Sequence, residues 1–108
     1  MNDTARVCKQ LMARHAKVIW SRFQEAKADR TESFVLVLER PDGGVDIRVE
    51  DRCMLADALR EGGSAKADTI DFVELPPGEI MVMIIPAGDR GALVAPMGPD
   101  DASIDGTA

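Results

Sequence analysis

The sequence predicts an α+β domain: a long N-terminal helix and a short second helix packed on a mainly antiparallel sheet, in the order α-ββ-α-ββ(β). Three observations predict it. Residues 4–29 repeat apolar side chains at helical spacing. The stretches "SFVLVLERPDGGVDIRVE" and "EIMVMIIPAGDRGALVAP" each join apolar runs through Pro, Gly and Asp, the residue types that build hairpin turns. Between the two lies "EDRCMLADALREGG", a short helical pattern ended by paired glycines. Hairpins favour antiparallel pairing, and two amphipathic helices need a sheet to cover.

The first helix opens at Asp3 or Thr4, both suited to capping its free N–H groups. At about 100° per residue, Cys8, Leu11, Met12, His15, Ile19, Phe23 and Ala26 fall on one side. Arg6, Gln10, Arg14, Lys17, Ser21 and Gln24 fall opposite, with Trp20 near the edge of the apolar stripe. Phe34 to Leu38 is apolar on both faces, as a central strand must be. Val45, Ile47 and Val49 alternate with Asp46, Arg48 and Glu50, the pattern of a half-exposed edge strand.

Asp51 stands at the N-cap position of the second helix, whose apolar side would carry Met54, Leu55, Ala58 and Leu59. "TIDFVEL" reads as a third strand, Pro76-Pro77-Gly78 as a turn, "EIMVMIIP" as a fourth strand, and "ALVAP" as a short fifth. Residues 1–95 form one domain on this reading. Residues 96–108, rich in Gly, Pro, Asp and Ser, form a flexible acidic tail.

The run Ile80 to Ile85 poses the main functional question. Ile80, Val82 and Ile84 point to one face of a strand, and Met81, Met83 and Ile85 to the other, so both faces need cover. One arrangement places a helix on each face. The other, the preferred one, places both helices on one face. It leaves Val35, Val37 and one triplet of the Ile80–Ile85 run as an apolar patch of a kind that monomers rarely expose. The polar rim of Asp46, Arg48 and Glu50 around such a patch is the anatomy of an interface.

The expectation is therefore a small, cytoplasmic, non-enzymatic interaction module: an adaptor, chaperone, inhibitor or regulatory subunit. It would act as a homodimer or bind a protein partner through Val35, Val37, Ile80, Met81, Val82, Met83, Ile84 and Ile85. The alternative is a small-molecule binding or sensing domain with a pocket between the first helix and the sheet, near His15, Trp20 and Met81 or Met83.

Composition supports absence of chemistry rather than presence. The net charge of −6 divides unevenly. Residues 1–30 hold seven Lys/Arg and three Asp/Glu, a net of +4, and the remainder carries −10. An acidic body disfavours nucleic acid, which needs clustered positive charge. The basic side of the first helix reads as a solvated outer face, so no membrane partner is expected. The longest apolar run falls far short of the roughly 20 residues that span a bilayer.

Cys8 and Cys53 form no CxxC pair and read as two buried thiols in a reducing compartment. His15, the single histidine, lies on the apolar stripe with no nucleophile motif beside it. "PDGGVDIRVED" lacks calcium-loop spacing, and "EGGSAK" follows a helix where a phosphate loop would follow a strand. No catalytic residue, cofactor or metal ligand is assigned.

Overall fold

The computed structural model of the chain describes residues 3–61, 75–88 and 91–100. Its elements are α1 (Asp3–Ala26), β1 (Ser33–Glu39), β2 (Val45–Asp51), a 3₁₀ turn (Arg52–Met54), α2 (Leu55–Glu61), β3 (Ile80–Ile85) and β4 (Leu93–Met97). The α+β class is as the sequence predicts: helices around a mixed, mostly antiparallel sheet.

Strand order is β2-β1-β3-β4. The hairpins β1–β2 and β3–β4 are antiparallel, while β1 and β3 run parallel at the centre, with Val35 opposite Val82 and Leu36 opposite Met83. A parallel central pair explains why both runs are apolar on both faces, because such strands sit between layers. The edge strands carry the devices that discourage further pairing: Asp46, Arg48 and Glu50 on β2, and Pro96 on β4.

The turns follow their residue types. In the first hairpin Gly43 N donates to Arg40 O at 3.0 Å and Gly43 takes φ +90°. Pro41 and Asp42 thus form a tight turn that glycine completes with a left-handed step. Asp42 Oδ1 accepts from Gly44 N at 2.8 Å, which holds its carboxyl below the usual range. Before β3, Glu79 N donates to Pro76 O at 3.1 Å, with Pro77 and Gly78 (φ +82°) in the central positions of a type II turn.

The sheet is covered on both faces, which overturns the preferred arrangement with both helices on one side. Cys8, Leu11, Ala16, Ile19 and Phe23 of α1 pack on Val35, Val37, Ile80, Val82 and Ile84. Leu55 and Ala58 of α2 pack on Phe34, Leu36, Met81, Met83 and Ile85. The described part of the β2–β3 connection, the 3₁₀ turn and α2, thus lies on the second face.

Several local expectations are corrected. α1 ends at Ala26, three residues short of the predicted end, because Lys27 turns left-handed (φ +52°). Its buried side is rotated toward Ala16, leaving Ala26 exposed and His15 half-buried. Asp51 makes no side-chain cap, since it closes β2 and precedes a 3₁₀ turn instead of an α-helix. Met54, in that turn, is exposed. Pro96 and Met97 belong to β4, and Met97 is fully buried, so these two residues are part of the sheet and not of the expected tail; residues 101–108 lie outside the described residues. The predicted "TIDFVEL" strand lies outside the described residues but for Leu75, which packs on the α2-side cluster.

Candidate functional site

Each of the residues expected to form a sheet-face interface lies inside the chain. Val35, Val37, Val82 and Met83 are 0% exposed, Met81 and Ile84 1%, Ile80 2% and Ile85 5%. The strand residues do group as the side-chain alternation requires, but each triplet meets a helix of its own chain. Single exposed apolar side chains remain at Val18 and Met54, which is ordinary for a folded surface.

The expected pocket between α1 and the sheet exists in a different form. Trp20, Phe23, Gln24 and Lys27 lie at i, i+3, i+4 and i+7, one row along the last two turns of α1. Where this row passes the start of β3, a cleft of about 360 Å³ opens, lined also by Ala28, Arg30, Gly78 and Ile80. Phe23 and Ile80 are buried at its base and Trp20 is half-buried. Trp20 is thus the one predicted pocket residue that the structure brings to the cleft. His15 is absent from the lining; its Nε2 is enclosed with no hydrogen-bond partner among the described residues. Met81 and Met83 cannot reach the cleft, because they belong to the opposite face of the sheet.

The polar side of the cleft is cationic. Lys27 is exposed at the end of α1, and Arg30 Nη1 reaches 3.5 Å from the carbonyl oxygen of Pro76. The described lining contains no carboxylate. The neighbouring Asp29 is held mainly by Thr31: its Oδ1 accepts from the Thr31 hydroxyl at 2.6 Å and from Thr31 N at 2.8 Å. These bonds, the hydroxyl first, and to a lesser extent the Arg30 charge hold the Asp29 carboxyl below its usual range.

No protein-family model, curated protein or solved structure matches the chain. Function then rests on the site alone, as fold by itself does not specify it.

Sequence reasoning missed Lys27, Arg30 and Gly78. Lys27 fell inside the helix expected over residues 4–29, so nothing marked it as the residue after the helix end. Its left-handed backbone leaves no mark in composition.

A second depression, of about 300 Å³, lies where the loop after α1 meets the end of β2, lined by Thr31, Glu32, Asp51, Arg52 and Cys53. Arg52 ties the two segments together, its backbone N–H donating to Glu32 O at 2.8 Å and its Nη1 to Thr31 O at 3.0 Å. Cys53 is exposed and Cys8 buried, so the expectation of two buried thiols holds for one. Among the described residues no group of three His, Cys, Asp or Glu side chains is placed to hold a metal ion. No described helix is long and apolar enough to cross a membrane.

Proposed function

We propose that this chain is a small-molecule binding or sensing domain whose recognition site is the cleft between the end of α1 and the start of β3. The observation that carries the reading is the cleft's composition: Trp20, Phe23 and Ile80 form an apolar base, with Lys27 and Arg30 as polar groups at its side. A concave, mostly apolar site with a few placed polar groups is the usual form of a ligand pocket. At about 360 Å³ this one lies toward the small end of such sites.

The site carries binding and not covalent chemistry. Its described polar groups are a lysine, an arginine and a glutamine, with no Ser, Thr, Cys, His or carboxylate beside the lysine to activate it. The protein-interaction reading, by contrast, has no broad exposed apolar face to work with among the described residues, since its central residues are buried.

Native mass spectrometry of freshly purified protein, paired with melting across a small-molecule library, tests the reading. A binder gains roughly 2.7 kcal/mol when ligand stands at 100 times Kd, a readily measured rise in Tm. The expected result is a reproducible extra mass or a ligand-dependent Tm. A chain that carries no extra mass, and melts at one temperature across the library, contradicts it.

A further inference from the structure

We infer that the ligand of the α1–β3 cleft is a small anionic amphiphile: an apolar body of a short chain or one ring, ending in a carboxylate or phosphate. This rests on the binding-domain reading and adds the ligand's charge and polarity.

The apolar part follows from the base. Trp20, Phe23, Ala28 and Ile80 offer one continuous apolar wall with an aromatic on the helix side. A polar metabolite would lose water there without gaining partners. A volume of about 360 Å³ matches the bulk of a short chain or one ring.

The charge follows from what stands beside the wall. Lys27 and Arg30 both line the cleft, and among the described residues neither meets a carboxylate within ion-pair distance. Several other cations on this surface are paired with an acid: Arg6 with Asp3 at 3.1 Å, Arg40 with Asp46 at 2.7 Å, Arg60 with Asp57 at 2.8 Å. Among the described residues the acid shown to act on this pair is Asp29, beside Arg30, so in a protein of net charge −6 the two cations leave a local positive field beside the apolar cleft.

Two effects oppose it. The Asp29 carboxylate acts on Arg30, and the C-terminal end of α1, which lines the cleft, carries roughly half a negative charge. Two full cations still exceed one carboxylate and a half charge. Arg30, with several donors left after its contact to Pro76 O, can add a two-pronged grip on a carboxylate or phosphate.

Trp20 is the chain's one tryptophan, so its emission reports on the cleft directly. The full chain is titrated with octanoate, octyl phosphate, octanol and octylammonium, all below their micellar range, following Trp20 emission and heat. The expected result is that at least one anion binds about tenfold or more tighter than octanol, with octylammonium weakest. The tighter anion names the head group. Raising salt should weaken the anions and leave octanol unchanged.

The double variant Lys27→Gln with Arg30→Gln should bring the anions down to octanol's affinity, and an unchanged far-UV circular dichroism spectrum and urea midpoint show that the variant is folded. Equal binding of octanol and the anions overturns the charge assignment and leaves the pocket standing. No change in Trp20 emission with any of the four overturns both.

Discussion

Cys8 Sγ on α1 lies 3.8 Å from the carbonyl oxygen of Ile84 on β3, a residue 76 positions further along the chain. Ile84 pairs with Leu93 in the β3–β4 ladder, so the thiol sits against that rung of the sheet. The contact fixes α1 over the centre of the sheet. It also removes the thiol from water, and burial pushes the Cys8 pKa up to about 11, with the Glu39 carboxylate adding to the rise and a backbone contact to Leu93 opposing it.

Thiol reactivity should divide accordingly. The thiolate is the reacting species, so a buried, high-pKa thiol is inert. Under native conditions near neutral pH, iodoacetamide should modify Cys53 and spare Cys8, with one alkyl group per chain by mass. Both should react in denaturant. Fast native labelling of Cys8 contradicts the packing of α1 described above.

Stability should fall at alkaline pH. The unfolded thiol ionises near 9.0 and the folded one near 11, so between these values the unfolded state loses its proton first and is favoured. The contribution is complete below pH 9 and is lost as pH rises toward 11. The chain has no tyrosine to add a background in this range. Cys8→Ala should flatten this part of a urea-midpoint profile, and an unchanged slope counts against the assignment.

Acid should act on two loops. Asp29 and Asp42 have folded pKa values below the ordinary 3.8, Asp29 through the Thr31 hydroxyl and backbone N–H, Asp42 first through the Gly44 N–H. Lowered carboxylates stabilise the fold above 3.8 and cease to do so as pH falls through their folded values. Replacing both with Asn should reduce the acid sensitivity of the midpoint. Both groups are solvent-exposed, so a small change is expected.

Lys27 holds a left-handed backbone at the position after α1 where glycine is usual. The conformation costs a non-glycine residue about 1–2 kcal/mol, and glycine's extra freedom in the unfolded chain returns about 0.5–1 of that. Lys27→Gly should therefore stabilise the protein by about 0.5–1 kcal/mol. It should also weaken anion binding at the cleft. A lower denaturation midpoint would show that the lysine side chain stabilises the fold by more than its backbone costs.

Much of the fold was legible because it depends on near-neighbour periodicity. The Leu11–Ile19–Phe23 stripe, the two-faced Phe34–Leu38 and Ile80–Ile85 runs and the Pro41–Gly44 turn were readable from spacing and turn chemistry. What covers Met81 and Met83 was not, because a strand apolar on both faces looks the same whether a helix or a partner lies over it. The choice is made by the path through α2, which brings Leu55 and Ala58 to the second face. The cleft was half legible. Trp20 stood out as an aromatic at the stripe's edge, whereas Lys27, Arg30 and Gly78 meet it only because α1 stops where it does and the Pro76–Glu79 turn folds beside it.

The central structural claim is that the sheet is closed on both faces by its own chain, leaving recognition to the cleft. Met83 and Ile84 are adjacent, point to opposite faces and are 0% and 1% exposed. The most direct measurement is urea denaturation of Met83→Ala and Ile84→Ala side by side, at several protein concentrations. Closure on both faces predicts that each costs about 2–5 kcal/mol, independent of concentration. If Ile84→Ala costs that much while Met83→Ala costs well under about 1 kcal/mol, the α2 face is open and the claim is wrong.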